Sequence, residues 1–192
     1  MNSIWVVVPV GERETYLPNL LNNLTQFYNK IVFVNNSPNY SRYPGVHHVK
    51  DFGPLNIYRW WNTGINYAEQ YGAEYVAVLN DDTTFNPNFI QTLYRFLVAN
   101  DLAIVDVENS GNGGGAAWMM DLSYGLRLDE RFQWWFGDKE LFDRAKAMGK
   151  FQRLHVDGFQ HMKPNENLAS NPQLQTLVQQ DEDLYRRING TP

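Results

Sequence analysis

The stretch Tyr75-Val-Ala-Val-Leu-Asn-Asp-Asp82 decides the fold class of this chain. Its first five residues are apolar and partly β-branched without polar alternation, which is typical of a strand buried on both faces in a helix-covered parallel sheet. Asn80, Asp81 and Asp82 follow at the carboxyl end of this strand, where open α/β folds bind their ligands. The stretch therefore predicts a parallel α/β sheet with an acidic ligand site at one edge.

The adjacent carboxylates of Asp81 and Asp82 repel each other unless a cation, or a ligand that carries one, neutralises them. Oxygen ligands of this kind suit a hard divalent ion such as Mg²⁺ or Mn²⁺. A structural alternative exists, because Asp and Asn are ordinary turn residues and could open a turn before Asn86 and Pro87. A single Asp-Asp pair leaves both interpretations open.

Composition limits the classes to which the chain can belong. Its 192 residues are 43% hydrophobic and 15% aromatic, as in a globular domain with a substantial core. No apolar run reaches membrane-spanning length and the first residues lack a basic signal-peptide start, so a soluble, cytoplasmic protein is expected. The absence of cysteine excludes disulfides and thiol catalysis. The net charge of −5 argues against broad nonspecific attraction to nucleic acid.

Apolar segments alternate with segments of helical periodicity along the chain, which predicts an α/β, Rossmann-like fold with a mainly parallel sheet. The predicted strands cover residues 4–10, 31–34, 46–49, 75–79, 102–107, 116–120 and 153–156. The predicted helices cover residues 16–28, 57–71, 138–148 and 172–188, with a further helix that Asn86 caps and Pro87 begins. We expect one α/β domain over residues 1–165 and a C-terminal helical extension over residues 166–192.

An aromatic run, Phe132-Gln-Trp-Trp-Phe136, precedes Asp138 at the start of a predicted helix. The helix dipole favours an ionised carboxylate there, and the aromatic side chains could exclude water or stack on a sugar ring. Asp138 could equally be an N-cap, with Trp134 and Trp135 as core residues. The run therefore marks a candidate site and leaves a structural alternative open.

Two histidines and a glycine run complete the candidates in the second half. His161 lies in a loop-like stretch after a strand and could join an aspartate in a mixed metal site, whereas His155 falls within the predicted strand and is the weaker candidate. The run Gly111-Asn-Gly-Gly-Gly115 lacks the lysine and Ser/Thr of a P-loop. It permits close approach of the backbone to a ligand, or it is a plain surface loop.

Several segments occur in a characteristic order: Val34-Asn-Asn-Ser37, Trp61-Asn-Thr-Gly-Ile-Asn-Tyr-Ala68, Leu79-Asn-Asp-Asp82, Leu128-Asp-Glu-Arg-Phe132, Gly137-Asp-Lys-Glu-Leu-Phe-Asp-Arg144 and His161. Together they resemble the inverting glycosyltransferases of family 2, which have the GT-A fold. The resemblance covers about residues 4–162. In that family a nucleotide-sugar lies over the first half of the domain, a DxD-type motif holds a divalent cation on the diphosphate, and an aspartate is the general base.

The resemblance implies a role for each matching residue. Asp82 would bind the metal, His161 would contact the metal or the diphosphate, and Asp138 would be the general base. The resemblance implies a nucleotide-sugar site made of Pro9, Val10, Glu12, Asn35, Asn62, Asn80, Asp81 and Gly114, with Trp134 and Trp135 as the acceptor platform. The chain departs from the family pattern at Asn35 and Asn80, where Asp is common, although Asn at the latter position is familiar among rhamnosyltransferase-like members.

The expected activity is therefore metal-dependent, inverting transfer of a sugar from a UDP-, dTDP- or GDP-sugar, with Mn²⁺ or Mg²⁺ as cofactor. The acceptor could be a saccharide, a protein or a modified nucleic-acid base, away from any membrane, in the cytoplasm of a bacterium or a phage-infected host. Two alternatives stay open. A nucleotidyltransferase should carry a Gly-rich basic loop after its first strand, which Pro9-Val-Gly-Glu-Arg13 does not supply. Intact Asp82 and Asp138 count against a non-catalytic sugar- or partner-binding module.

Overall fold

The computed structural model describes residues 3–11, 14–35, 42–108, 115–162 and 171–190. Its strands are β1 (Ile4–Val10), β2 (Ile31–Asn35), β3 (Val46–Lys50), β4 (Tyr75–Leu79), β5 (Thr83–Thr84), β6 (Ile104–Val107), β7 (Ala117–Asp121), β8 (Phe151–Leu154) and β9 (Gln160–His161). Its α-helices are α1 (Leu17–Asn23), α2 (Ile57–Gln70), α3 (Phe89–Ala99), α4 (Gly137–Ala147) and α5 (Pro172–Asn189). The predicted alternation of strands and helices is confirmed.

The central sheet has seven strands in the order β3-β2-β1-β4-β7-β6-β8. Strands β1 to β4 are mutually parallel, and β8 is parallel to β6. Strand β7 runs antiparallel to both of its neighbours, β4 and β6. The predicted Rossmann-like, mainly parallel GT-A sheet is therefore confirmed, with one antiparallel strand inserted beside the central β4.

Helices cover both faces of this sheet and bury it. Helices α1 and α3 pack on one face around Val8, Phe33 and Leu79, whereas α2 and α4 pack on the other around Val7, Val78 and Trp118. Successive strand residues belong to opposite clusters because side chains alternate across a strand. This two-sided burial accounts for the unbroken apolar run in Tyr75–Leu79.

The prediction of one continuous helix over residues 16–28 was wrong in its length. The α-helix covers only Leu17–Asn23, and 3₁₀ turns flank it at Glu14–Tyr16 and Thr25–Phe27. The backbone tightens after Leu21, whose carbonyl accepts a hydrogen bond from the Leu24 N–H. Apolar periodicity alone could not show this, because the 3₁₀ turns still bury Leu24 and Phe27.

The start of α3 and the last predicted strand also differ from expectation. Asn86 does not cap α3, because its side-chain amide donates to the Asp157 carbonyl, and the helix begins at Phe89 rather than at Pro87. Strand β8 ends at Leu154, so His155 lies after the strand instead of within it. Within the described residues, none of the helices combines the length and the apolar character needed to cross a membrane.

Candidate active site

The carboxyl ends of the parallel strands meet at one edge of the sheet, and the candidate site residues lie there. Val10, at the end of β1, is level with Asn35, at the end of β2. Antiparallel β7 begins at the same edge, where the Ala116 carbonyl accepts a hydrogen bond from the Asn80 N–H. Helices α2 and α4 also begin there, since Tyr58 in the first turn of α2 contacts Asp138 in the first turn of α4. The fold thus brings together residues that are far apart in sequence.

Asp81 joins the end of β4 to the end of β1. Its Oδ2 accepts a hydrogen bond from the Gly11 N–H at 3.1 Å. Burial, with a smaller contribution from the charge of Asp82, raises the pKa of Asp81 to about 6. Both carboxylates are half-buried, and the repulsion expected between them adds to the effect of desolvation on Asp81.

Asp82 and His161 form the second pair at this edge. Strands β5 and β9 pair in antiparallel fashion, with Thr83 opposite His161, and the Met162 N–H donates to the Asp82 carbonyl. This short sheet brings His161 Nε2 to 3.1 Å from Asp82 Oδ1. His161 therefore lies on a strand rather than in a loop. The two residues predicted as metal ligands are neighbours, although 79 positions separate them in sequence.

The Asp82–His161 pair fits a divalent cation by the chemistry of its donors. A carboxylate oxygen and an imidazole nitrogen face each other, and both side chains keep some exposure to solvent. In the described part of the chain, no three Asp, Glu, His or Cys residues gather into a metal cluster. Mg²⁺ commonly takes only one or two protein ligands and completes its shell with water and substrate phosphates. The pair thus suits an ion shared with a diphosphate.

Asp138 is the second residue of α4 and is half-buried. Its Oδ1 accepts a hydrogen bond from the Tyr58 hydroxyl at 3.2 Å. The N-cap of α4 is Phe136, in the left-handed region at φ 68°, so the interpretation of Asp138 as an N-cap was wrong. Burial raises the pKa of Asp138, while hydrogen bonds from the Lys139 N–H and the Tyr58 hydroxyl lower it in part. The helix start therefore does not keep this carboxylate as acidic as expected.

Gly115 packs directly against Asp138. A Cβ atom on Gly115 would lie 2.1 Å from Asp138 Oδ2, and φ is +86°, so any side chain here would displace the carboxylate. The Gly115 N–H donates to Oδ1 of Asp106, which is fully buried on β6. Asp106 Oδ2 lies 3.1 Å from Arg153 Nε, and burial raises the pKa of Asp106 to about 7.

Trp134 and Trp135 are half-buried, so neither is a core residue, contrary to the structural alternative. Their backbone N–H groups donate to Asp181 Oδ2 of α5 at 2.7 and 2.9 Å. The Trp135 ring meets the Phe136 ring edge to face at 6.3 Å. The backbone of this segment is therefore fixed by Asp181, while both residues remain only half-buried.

The remaining predicted nucleotide residues have different environments. Pro9 and Val10 are buried in β1, and Asn80 is half-buried after β4. Asn35 is buried, and its Oδ1 has no hydrogen-bond partner among the described residues. The Asn62 side chain bonds the backbone of Leu128 and the carboxylate of Glu130. Glu12 and Gly114 lie outside the described residues.

Four residues of the site were not predicted from the sequence: Tyr58, Asp106, Arg153 and Asp181. Tyr58 lies one turn from Trp61 and is as buried as the core tryptophans, so helical periodicity marks it as core. Asp106 interrupts an apolar strand, and Asp181 is a buried acidic residue of an amphipathic helix. A charged residue in an apolar position is the signal that could have identified both of them.

The sequence profile of glycosyl transferase family 2 matches residues 5–153. Among curated proteins, none matches this chain significantly.

Solved structures with the same fold include glucosyl-3-phosphoglycerate synthase from Mycobacterium tuberculosis in complex with Mn²⁺ and UDP-glucose, at a TM-score of 0.73 and 11% identity, covering 100% of this chain and 80% of that one. S. aureus TarS 1–349 gives a TM-score of 0.65 at 13% identity, covering 88% of this chain and 62% of that one. TarS 1–349 in complex with UDP-GlcNAc gives 0.63 at 15% identity, covering 83% and 60%. The chain thus spans about three fifths of the TarS 1–349 structures.

Proposed function

The chain belongs to glycosyl transferase family 2, and from this premise we propose that it transfers a sugar from a nucleoside-diphosphate sugar to an acceptor hydroxyl with inversion at the anomeric carbon. The observation that carries the proposal is the pairing of two sites at one sheet edge. Asp82 and His161 supply a cation-binding pair, and Asp138 with Tyr58 supplies a base beside a half-buried tryptophan segment.

The donor is proposed to lie over the ends of β1, β2 and β4. Among the described residues the Oδ1 of Asn35 has no hydrogen-bond partner, and a hydrogen bond from a nucleobase would remove the cost of this buried polar atom. UDP-sugars are the favoured donor class, because the M. tuberculosis synthase and TarS were solved with UDP-glucose and UDP-GlcNAc. dTDP- and GDP-sugars are the other candidates.

Mn²⁺ or Mg²⁺ is the proposed cofactor, with Asp82 and His161 as its protein ligands. When bound, such an ion would neutralise charge that develops on the diphosphate leaving group. Asp81 supports this arrangement, because the hydrogen bond that it accepts from the Gly11 N–H connects the end of β4 to the end of β1. The use of Mn²⁺ in the M. tuberculosis synthase structure supports the choice of metal.

Asp138 is the proposed general base. Its raised pKa makes the carboxylate a stronger base, and the Tyr58 hydroxyl orients it. It would take the proton from the acceptor hydroxyl as that oxygen bonds to the anomeric carbon and the diphosphate departs with the electron pair of the broken bond. Trp134 and Trp135 are the proposed acceptor platform, since half-exposed indole rings can stack on a sugar or a base. The acceptor classes remain a saccharide, a protein or a modified nucleic-acid base.

Titration calorimetry with UDP as the probe tests the donor and metal sites. We expect UDP to bind tightly only with Mn²⁺ present, and we expect Asp82→Ala to weaken that binding at least about tenfold, because it removes a charged ligand. His161→Ala should weaken it less. His155→Ala is the matched control, since this histidine lies exposed beyond β8.

Unchanged UDP affinity in Asp82→Ala would contradict the metal assignment, and a larger effect of His155→Ala would show that the wrong histidine was chosen.

Incubation of the native protein with UDP-glucose and Mn²⁺ then separates the enzyme from a non-catalytic binding module. Release of free UDP supports a transferase, whereas binding without release supports the module.

A further inference from the structure

The C-terminal helix α5 lies beyond the part of the chain that matches the family profile, yet it places a buried carboxylate next to the proposed acceptor segment. Asp181 of α5 is 1% exposed. It accepts hydrogen bonds from three consecutive backbone N–H groups: Gln133 at 3.0 Å to either oxygen, Trp134 at 2.7 Å and Trp135 at 2.9 Å. Three N–H donors converging on one carboxylate form a fixed anion cradle.

This cradle fixes the chain immediately before Asp138. On its other side, the Gln133 carbonyl accepts a hydrogen bond from the Ile57 N–H at 2.9 Å. Ile57 precedes Tyr58, whose hydroxyl bonds to Asp138. Hydrogen bonds thus connect Asp181 to Gln133 and Gln133 to the start of α2. The Tyr58 hydroxyl then connects α2 to the proposed base. A shift of the segment at Asp181 would therefore move the partner of Asp138 as well as the chain that leads to it.

Asp181 also bonds the two residues that lead into α4. Trp135 is followed by Phe136, which adopts a left-handed backbone at φ 68° without a side-chain cap. A non-glycine residue in this region is strained and persists only where surrounding contacts hold it. The Asp181 bonds to the two residues before Phe136 are such contacts. They fix the backbone of both tryptophans through N–H groups and do not involve the indole rings.

We propose that Asp181 is a positioning residue for the transfer reaction: it orders residues 133–135 so that Trp134 and Trp135 face the acceptor and Asp138 meets the proton it removes. This inference rests on the proposed function of the site. It also assigns helix α5, in the predicted C-terminal extension, a part in catalysis.

Asp181→Asn tests the proposal, because it keeps the size of the side chain while it removes the charge and one acceptor oxygen. Asp183→Asn is the matched control, with the same substitution two positions along the same helix at an exposed site. Hydrogen exchange at the Trp134 and Trp135 amides should be at least about tenfold faster in Asp181→Asn than in the control, because opening of this segment becomes easier. Equal exchange in both variants would overturn the proposal.

Turnover separates positioning from mere stabilisation. With UDP-glucose as the probe donor, Mn²⁺ and water as acceptor, Asp181→Asn should release UDP at least about tenfold more slowly while its UDP dissociation constant stays within about twofold of the native value. Equal loss of UDP affinity and turnover would identify Asp181 as a general stability residue and overturn the proposal.

Two further outcomes remain decisive. If the native protein binds UDP-glucose without releasing UDP, the proposed transferase function fails, whereas the exchange measurement still tests whether Asp181 orders the segment. If Asp181→Asn does not fold, Asp181→Ser, which keeps one acceptor oxygen in less volume, replaces it in both measurements. Native-like exchange and turnover in Asp181→Ser would overturn the proposal.

Discussion

At the scale of single residues, Asp138 shows two electrostatic effects of opposite sign. A helix N-terminus favours the ionised carboxylate by about 0.3–1 kcal/mol at an exposed position. Burial disfavours the same charge, and for an enclosed carboxyl this effect is the larger one. The pKa of Asp138 is raised for that reason, in spite of hydrogen bonds from Tyr58 and the Lys139 N–H. A base with a raised pKa accepts a proton more readily, so the enclosed position suits the proposed chemistry.

Asp138→Asn should separate chemistry from donor binding. The substitution keeps the size of the side chain and removes its basicity, so turnover should fall about 10²-fold or more while UDP affinity stays nearly the same. Steady-state kinetics of UDP release and UDP calorimetry measure the two quantities. Glu140→Gln is the control, since Glu140 pairs with Arg144 at 2.8 Å on the same helix and should retain activity. Normal turnover in Asp138→Asn with loss of turnover in Glu140→Gln would show that the general base is Glu140, two residues further along the helix.

At the scale of elements, Asn62 ties helix α2 to the irregular segment that follows β7. Its amide donates to the Leu128 carbonyl at 2.9 Å, and its carbonyl accepts from the Leu128 N–H at 3.1 Å. Both bonds are buried, so the side chain replaces the backbone pairing that this segment lacks. Its proposed place near the nucleotide remains a prediction, which these structural bonds neither require nor oppose.

Asn62→Ala should lower the free energy of unfolding by about 2–3 kcal/mol, because it leaves a buried N–H and a buried carbonyl without partners. Denaturant unfolding of the purified protein measures the change. Asn66→Ala, one turn further along α2, removes an exposed amide that bonds Arg127 and should cost less than about 0.5 kcal/mol. Similar losses in the two variants would show that the Leu128 bonds contribute little.

The sequence alone was sufficient to predict those elements that a single continuous stretch of residues identifies. The unbroken apolar run of β4 predicts two-sided burial, and the Asp residues at its end predict the ligand edge. Sequence order could not reveal strand β9, because only its pairing with β5 makes His161 a neighbour of Asp82. The roles of Tyr58 and Asp181 were hidden for the same reason, since their partners lie 80 and 46 to 48 positions away.

At the scale of the whole molecule, carboxyl groups with raised pKa values collect at the edge of the sheet that carries the candidate site. Asp81 and Asp106 lie at the ends of neighbouring parts of the sheet, and burial raises their pKa values to about 6 and about 7. Arg153, beside Asp106, offsets only part of the desolvation cost. Carboxyl groups at ordinary surface positions would make the fold more stable at neutral pH. These carboxyl groups therefore lower the free energy of unfolding at neutral pH, and such a cost is common where acidic groups form an active site.

This arrangement predicts how stability depends on pH. Because the pKa of Asp106 is higher in the folded than in the unfolded chain, its contribution is complete below about pH 4 and is lost as the pH rises toward 7. The loss amounts to at most roughly 4 kcal/mol. Carboxyl groups with lowered pKa values, such as Asp143 at about 2, change the stability only at lower pH.

The free energy of unfolding, measured in urea without metal, should therefore fall between pH 5 and pH 7.5. Asp106→Asn keeps an acceptor for the Gly115 N–H and cannot titrate, so its curve should be flatter over this range and retain the slope contributed by Asp81, Asp138 and Asp181, whose pKa values burial also raises. Asp183→Asn, at an exposed site, should follow the native curve. Parallel curves for Asp106→Asn and the native protein would show that Asp106 stays ionised in the fold, held by Arg153. The effect of Asp106 on the proposed base would then be that of a fixed negative charge, which raises the pKa of Asp138 at every working pH.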